Sequence, residues 1–321
     1  MKKCHILFFF IFSLFSVSQN IAVIITIPKI NISGVFEYNP CNRTTNIPFI
    51  TGDTFRYIAD FIVDETRLPF DTSKLTEGSI IFTHYRYLPF FINNILPHIY
   101  VHFILITHNS DGFNPVAYFK ELLENPYLEY WFSRDINSLW HPKLKCLPLG
   151  IVSRPNYMQS QRKKIFRKIL NNKPIKDKLL YMNFMVKTCQ KQRKPIFEIF
   201  KNKSFVTVAE PTKSLYDFLR DLASSYFVIC PRGSNLDTFR TWETLLCGSY
   251  PIVQHSYLDE LFTDLPVVLI DDWEEVTEDF LLNKLKEFSI KKFNMEKVYA
   301  SFWIKLLEGY KKEVKKKYNS N

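Results

Sequence analysis

The stretch that decides the fold runs from Cys230 to Val253 and reads CPRGSNLDTFRTWETLLCGSYPIV. An apolar run, Tyr226 to Cys230, leads into it and ends at a Pro-Arg-Gly turn. An amphipathic segment follows, stops at Gly248 and gives way to a second apolar run, Pro251-Ile252-Val253. This order predicts a strand, a turn, a helix and a strand. Such a unit places a glycine loop and a helix N-terminus where backbone N–H groups can hold a phosphate.

The turn and the residues after it have the chemistry of an anion-binding loop. Arg232 and Gly233 form the turn itself, and Ser234 and Asn235 are predicted to cap the helix that follows. A helix that begins in this way points its first N–H groups outward, where they attract a negatively charged group. The sequence therefore predicts a phosphate-holding loop that contains Arg232, Gly233 and Ser234.

The predicted helix carries a cation and a carboxylate one turn apart. Arg240, Glu243 and Cys247 fall on one face at spacings of three and four. An arginine suits the diphosphate of a nucleotide-sugar, and a glutamate can accept hydrogen bonds from the two ribose hydroxyls. The alternative is an ordinary surface Arg–Glu pair, which would contribute little to stability. The adjoining Pro-Arg-Gly turn favours the nucleotide-sugar site.

The spaced identities Pro-Arg-Gly, Arg-x-Trp-Glu and Gly-x-x-Pro-Ile-Val resemble those of the exostosin-type glycosyltransferases. The resemblance implies a GT-B fold, an inverting reaction, a nucleotide-sugar donor and a place in the secretory pathway. It also implies that Arg193, in a basic loop after a strand, faces the donor phosphates from the opposite side. The chain departs from the larger heparan-synthesising members because it lacks their second catalytic domain. It also has Ser249 where the family often has cysteine.

Weaker resemblance extends between residues 50 and 280. Four segments carry it: TGDTFRYIADFIVDE (Thr51 to Glu65), ITHNSD (Ile106 to Asp111), HPKLKCLPLGI (His141 to Ile151) and YMNFMVKTCQKQR (Tyr181 to Arg193).

Strands and helices alternate along the chain in two successive series, which predicts parallel sheets covered on both faces. A helix is predicted at Thr54 to Val63, and Ser79 to Thr83 and Phe103 to Thr107 are predicted strands. The fold class is therefore α/β, of GT-B type, with two Rossmann-like domains facing a central cleft. The predicted parts are a signal peptide (1–18), a stalk (19–50), an N-terminal acceptor-side domain (51–151), a linker (152–177) and a C-terminal nucleotide-sugar-binding domain (178–321).

Inversion requires a general base that deprotonates the acceptor hydroxyl, and the first half of the chain is expected to supply it. His108-Asn109-Ser110-Asp111 follow the Phe103–Thr107 strand, at the end where parallel sheets bind ligands. Asp111 and His108 are therefore the candidate catalytic residues, and Asp53 is a third candidate. The alternative is that Asn-Ser-Asp-Gly forms only a turn and that Asp53 only caps a helix.

The composition indicates a folded chain, and its basic balance is compatible with nucleic acid, a membrane surface or an anionic substrate. Of its 321 residues 46% are hydrophobic, with thirty Phe and eight Gly, which excludes disorder. The formal charge of +10 suits an anionic donor. No basic–aromatic module accompanies that charge, so we expect no nucleic-acid partner. The cluster Lys311 to Lys317 is interpreted as a solvated, frayed helix end.

The N-terminus has the pattern of a targeting signal rather than of a folded element. Lys2 and Lys3 precede the apolar run Ile6 to Phe15, and Ser16-Val17-Ser18 offers a cleavage site. The alternative is an uncleaved membrane anchor that includes Ile21 to Ile27. Both interpretations place the body of the chain in the Golgi or endoplasmic reticulum lumen, or outside the cell. Three glycosylation sequons agree with this route, at Asn31, Asn42 and Asn202.

Neither a metal nor another cofactor is expected. No Asp-x-Asp motif occurs, so a divalent metal clamp on the diphosphate is not predicted, and the nucleotide-sugar is a co-substrate. Five cysteines remain after removal of a leader, and their spacing matches no zinc pattern. Cys230 and Cys247 are interpreted as core residues or as one disulfide.

Two functions of different classes remain open from the sequence. The first is a lumenal exostosin-like glycosyltransferase that transfers a sugar to a glycan or glycoprotein acceptor. The second is a secreted carbohydrate-binding or structural protein that kept the fold and lost catalysis. The presence of both Arg240 and Glu243 favours the first.

Overall fold

A computed structural model describes residues 23–26, 47–109, 115–134, 136, 141–152, 156–210 and 214–319. Two five-stranded parallel sheets form its framework, so the predicted α/β class with two Rossmann-like halves is confirmed. The candidate base Asp111 and the predicted signal peptide, residues 1–18, lie outside the described residues. Within the described ranges, no helix is long and apolar enough to cross a membrane.

The first sheet has its strands in the order β2-β4-β5-β6-β7. These strands are β2 (Phe61–Val63), β4 (Ser79–His84), β5 (Phe103–His108), β6 (Leu128–Ser133) and β7 (Leu144–Cys146). A separate antiparallel pair is formed by β1 (Ile24–Ile25) and β3 (Phe70–Asp71). Strands β4 and β5 pair in register up to His84 and His108, so these two histidines lie side by side at the carboxyl end of the sheet.

The second sheet has the order β9-β8-β10-β11-β12, which is a doubly wound arrangement. Its strands are β8 (Lys178–Met182), β9 (Val206–Val208), β10 (Ser225–Ile229), β11 (Tyr250–Gln254) and β12 (Val268–Ile270). In this order the winding direction changes between β8 and β10, and ligands of such sheets bind beyond the carboxyl ends of those two strands. The Pro231-Arg232-Gly233 turn follows β10 and therefore lies at this switch point.

Helices cover both sheets. They are α1 (Gly52–Tyr57), α2 (Leu88–Phe90), α3 (Phe119–Leu123), α4 (Asn156–Asn171), α5 (Gln190–Phe200), α6 (Leu215–Ala223), α7 (Phe239–Leu246), α8 (Asp259–Phe262), α9 (Glu278–Ile290) and α10 (Ala300–Asn319). Helix α4 occupies the predicted linker and connects the two sheets.

The largest hydrophobic core is shared by the two halves of the chain. It contains Ile104 from the first sheet, Val228 from the second sheet and Trp242 from α7. Two further clusters cover the other face of each sheet, one around Trp131 and one around Trp273. Burying a large apolar side chain contributes about 1.5–3 kcal/mol, so the shared cluster ties the halves together strongly.

The last helix returns to the first half of the chain and pairs with its acidic residues. Lys311 Nζ lies 2.5 Å from Asp60 Oδ1, and Lys317 Nζ lies 3.0 Å from Glu129 Oε2. Tyr130 donates a hydrogen bond to Glu313 at 2.7 Å. The helix end is therefore not frayed, because α10 continues to Asn319 and Lys311 and Lys317 pair with carboxylates of the first half. The expectation of solvated lysines holds for Lys312 and Lys317, which are exposed.

Part of the predicted stalk is built into the fold. Phe49 and Ile50 are 1% exposed, and Ile50 O accepts a hydrogen bond from Ile151 N at 2.8 Å. Ile24 and Ile25 pair with β3. An extended stalk over 19–50 is therefore wrong for the described residues 23–26 and 47–50, whose apolar side chains or backbone groups have partners in the first half.

The predicted helix over 54–63 was too long. Helix α1 ends at Tyr57, and β2 begins at Phe61. Asp60 separates them because its backbone N donates to Ile80 O and its carboxylate accepts from Ile80 N, both at 2.8 Å. Cys230 and Cys247 are free, buried thiols, so they are core residues and not a disulfide.

Candidate active site

The turn after β10 is fixed by hydrogen bonds from the side chain of Arg193. This side chain is 6% exposed and lies on α5, not in the loop where the sequence analysis placed it. Its guanidinium donates to three main-chain oxygens: Arg232 O at 2.9 Å, Met185 O at 3.1 Å and Pro231 O at 3.3 Å. Arg193 thereby fixes the loops after β8 and β10 to each other, on the two sides of the switch point. Its predicted contact with donor phosphates stays a prediction.

Gly233 makes this arrangement possible. A Cβ at this position would lie 3.2 Å from Arg193 Nη2, a tighter approach than most side chains tolerate. Ser234 and Arg232 are exposed beside it. The turn therefore presents the side chains of Arg232 and Ser234 outward while Arg193 supports its backbone.

The helix after the turn begins later than predicted. Helix α7 starts at Phe239 with Thr238 as its N-cap, so Ser234 and Asn235 do not cap it. The reason is Asp237, whose carboxylate accepts from Thr238 N at 2.7 Å and from Trp242 Nε1 at 2.8 Å. These bonds fix a loop between the turn and α7.

Arg240 is the least satisfied charged group of the described site. Its Nε atom is fully buried and has no hydrogen-bond partner, although other parts of the side chain reach the surface. Its guanidinium carbon lies 5.9 Å from the centre of the Phe218 ring. Burial lowers the pKa of Arg240, which shows that the structure stabilises this charge poorly.

Arg240 and Arg193 act on each other as like charges. Burial, followed by the neighbouring charge of Arg240, lowers the pKa of Arg193 to about 10. Glu243 is the described carboxylate whose charge offsets Arg240. A buried cation without a full set of partners costs several kcal/mol in general, so an anionic ligand would relieve this site.

Glu243 is 4% exposed and forms an ion pair with the helix that links the two sheets. Its Oε1 atom lies 2.8 Å from Arg162 Nη1 of helix α4. Burial raises the pKa of Glu243, and the charges of Arg162 and Arg240 oppose that rise. Arg162 was not predicted from the sequence, because it lies 81 residues from Glu243 in the predicted linker.

On the first half, His108 is a buried residue with two partners. Its Nδ1 accepts a hydrogen bond from Asn109 N at 2.9 Å, so Nε2 carries the proton and donates to Pro148 O at 3.1 Å. To act as a base, the imidazole would have to give up the Asn109 bond. The role predicted for His108 stays a prediction, as does that of Asp111.

The third candidate base, Asp53, lies beside Asn109. Asn109 Nδ2 donates to Asp53 Oδ1 at 3.4 Å, and Asn109 adopts a left-handed backbone with φ of 67°. Gly52 leaves room for this amide, since a Cβ there would lie 1.5 Å from Asn109 Oδ1. The Thr51-Gly52-Asp53 segment therefore packs against Asn109.

Two adjacent residues connect the candidate sites of the two halves. Pro148 accepts the bond from His108, and Leu149 N donates to Asp237 Oδ2 at 2.7 Å. The buried cation Arg134, at the end of β6, lies close enough to influence the pKa of both His108 and Asp237. Burial raises the pKa of Asp237 to about 6, against its hydrogen bonds from Leu149 and Trp242. The end of β5 and the loop before α7 are thus neighbours.

The titration of His108 gives a testable consequence for stability. Burial, reinforced by the charge of Arg134, lowers the pKa of His108 to about 3. The stability that comes from neutral His108 is therefore complete above about pH 6.5 and is lost as the pH falls from there toward 3. The unfolding free energy of the parent minus that of His108→Gln should shrink by about 1.4 kcal/mol per pH unit below 6.5. Denaturant titrations at pH 7.5, 6 and 5 measure it, and a constant difference would contradict it.

Comparison with known proteins finds one family model that is similar to the second half of the chain. The family model described as the RXYLT1 C-terminal domain matches residues 181–320, which include the second sheet after its first residues, the turn and α7. This match confirms the resemblance read from the sequence. Residues 181–320, which make up less than half of the chain, are therefore similar to that domain. No curated protein sequence matches the chain significantly.

Two solved structures are similar to the chain at 8% identity. One is a GtfA/B complex, with a TM-score of 0.35, 75% of this chain covered and 59% of that chain. The other is the pneumococcal O-GlcNAc transferase GtfA in complex with UDP and GlcNAc, with a TM-score of 0.34 and coverages of 77% and 57%. The chain therefore spans less than two thirds of the length of either structure.

Proposed function

We propose that this chain transfers a sugar from a nucleotide-sugar to a glycan or glycoprotein acceptor, with inversion at the sugar carbon. The observation that carries the proposal is Arg240, a half-buried arginine whose Nε is buried and unpartnered beside the turn that Arg193 supports. A diphosphate at the switch point would supply the missing negative charge and hydrogen-bond acceptors. Arg232, Gly233 and Ser234 border the same place.

The residues divide the reaction between them. The acceptor oxygen attacks the anomeric carbon, the bond from that carbon to the phosphate oxygen breaks, and the nucleoside diphosphate leaves with the electron pair. Arg240 stabilises the growing charge on the diphosphate, and Glu243 accepts hydrogen bonds from the ribose. The acceptor proton goes to a base at the end of β5, for which Asp111 is the first candidate and His108 the second.

A binding panel tests this proposal before the acceptor is known. Thermal unfolding would be measured with UDP, GDP, CDP and ADP, then with sugar derivatives of whichever binds. Xylose derivatives come first because residues 181–320 match a xylosyltransferase-type family. A ligand at one hundred times its Kd stabilises by about 2.7 kcal/mol, which is a readily measured shift. No shift with any nucleotide would contradict the proposal. Donor binding without turnover on any acceptor would favour the carbohydrate-binding alternative.

Turnover should survive excess chelator. The motive is the absence of Asp-x-Asp from the sequence, together with the cationic groups Arg193 and Arg240 at the switch point. Arginine side chains can hold a leaving diphosphate without a divalent ion. Activity would be measured in EDTA and after adding back Mn²⁺ or Mg²⁺. Loss of activity in EDTA that Mn²⁺ restores would show this prediction to be wrong.

The proposal includes passage through the secretory pathway, and Asn202 offers a marker for it. Asn202 and Ser204 of the sequon are exposed in the turn between α5 and β9. This turn lies at the amino edge of the second sheet, opposite the candidate site, so a glycan there would not obstruct the donor. In chain expressed in a eukaryotic host with its own N-terminus, we expect the Asn202 peptide to carry an N-glycan.

Mass spectrometry of that peptide measures occupancy. Asn202→Gln and Ser204→Ala should both remove the glycan while leaving turnover unchanged. An unglycosylated Asn202 in a chain whose Asn31 or Asn42 carries a glycan would show that the sequon in this turn is not glycosylated. A chain with no glycan at any of the three sites would contradict the secretory route.

A further inference from the structure

Arg162 is a charged residue of helix α4 that reaches the centre of the candidate donor site. Helix α4 connects the two sheets and packs against α6, beside α7. The Arg162 side chain is 18% exposed and lies 2.8 Å from Glu243 Oε1, whose side chain is 6% exposed. The pair is thus largely buried, and it joins the linking helix α4 to α7 of the second half.

The geometry leaves one carboxylate oxygen of Glu243 available. Oε1 accepts from Arg162, whereas Oε2 has no hydrogen-bond partner among the described residues. A carboxylate with one oxygen fixed by a guanidinium has its second oxygen held in a defined direction. Arg162 also provides the first of the two charges that oppose protonation of Glu243, the second being Arg240. The arginine therefore controls both the charge and the orientation of the carboxylate.

We propose that Arg162 is a positioning residue for ribose recognition, because it fixes Glu243 Oε1 and so presents Oε2 to a ribose hydroxyl of the donor. The inference rests on the proposed function, in which Glu243 binds the ribose. It makes the linking helix α4 part of the donor site. An ion pair that only ties α4 to α7 would affect stability and would not distinguish a ribose from a deoxyribose.

Discrimination between ribose and deoxyribose is the readout that separates these roles. The probe is the nucleoside diphosphate that binds best in the panel, compared with its 2′-deoxy and 3′-deoxy forms by calorimetry. The parent protein should prefer the ribose form over at least one deoxy form by about tenfold or more, as for a hydrogen bond to a charged group. Arg162→Gln should bring that preference below about threefold, and Arg162→Lys, which keeps the charge, should restore part of it. Arg167→Gln, an exposed arginine on the same helix, is the matched control and should leave the preference unchanged.

Glu243→Gln distinguishes the outcomes. If Glu243→Gln loses the preference while folded Arg162→Gln keeps it fully, the positioning role is overturned and the ribose role of Glu243 stands. If Glu243→Gln itself keeps the preference, the ribose role in the proposed function fails. If both single variants lose it and the double variant loses no more, the two residues act as one unit, as expected. The melting temperature of each variant confirms that the compared proteins are folded. If Arg162→Gln does not fold, Arg162→Lys is compared with the parent protein instead.

Discussion

Replacing Arg240 with glutamine should weaken nucleotide diphosphate binding by about 10²–10⁴-fold, through loss of two charge-assisted hydrogen bonds of about 1.5–3 kcal/mol each. The same change should leave the unliganded protein as stable as before, or more stable. The reason is that the Arg240 Nε is buried without a partner, and that Arg240 and Arg193 repel each other. Removing an unsatisfied buried charge relieves a cost that only the ligand offsets.

Calorimetry with the nucleotide and thermal unfolding without it measure the two effects on one preparation. Arg220→Gln is the matched control, because Arg220 lies on the neighbouring helix α6 with a side chain that is 50% exposed and pairs with Asp217. It should change neither quantity. Unchanged affinity in folded Arg240→Gln would contradict the diphosphate role. A large fall in melting temperature would instead assign Arg240 to the structure of the domain.

The second large effect is expected at Asp111. Asp111→Asn should lower turnover by about 10²–10⁴-fold while donor affinity stays nearly intact, since the amide keeps the shape but cannot take the acceptor proton. The support is the position of His108 and Asn109, the described residues that precede Asp111 in the sequence. His108 contacts Pro148, whose neighbour Leu149 contacts Asp237 of the donor side.

Turnover and melting temperature would be measured together for Asp111→Asn. A lower melting temperature with normal turnover per folded molecule would mean that Asp111 only stabilises the Asn-Ser-Asp-Gly turn. Near-normal turnover would move the search for the base to His108→Gln and then to Asp53→Asn. Of these two residues, His108 is less suited to act as the base, because both of its ring nitrogens already have hydrogen-bond partners.

The second sheet was predictable because each of its strands is a short apolar run followed by a helix. The run Tyr226 to Cys230, for example, gives β10 within one residue at each end. The first sheet was less predictable from the sequence. Helical spacing of apolar residues extended the predicted helix to Val63, and only the bonds between Asp60 and Ile80 show why α1 stops earlier. Those bonds depend on a strand twenty residues away, which local patterns do not report.

The candidate active site could also be predicted only in part from the sequence. Residue types and spacing were enough to select Arg240 and Glu243, since both lie on one helix after the turn. Their partners were not predictable in this way. Arg162 and Asp237 act through contacts 81 and 88 residues apart, and the bonds of Arg193 to three carbonyls depend on two loops meeting. Contacts of that range come from packing and leave no periodic signal in the sequence.

The central claim is that a nucleotide diphosphate occupies the switch point between β8 and β10. The most direct measurement is a crystal structure of the chain with the nucleoside diphosphate that the panel identifies. The account predicts a phosphate oxygen at about 3 Å from the Arg240 guanidinium, beside the Pro231–Gly233 turn, with a ribose hydroxyl on Glu243 Oε2. A nucleotide bound elsewhere, with Arg240 and Glu243 keeping only their present neighbours, would contradict it.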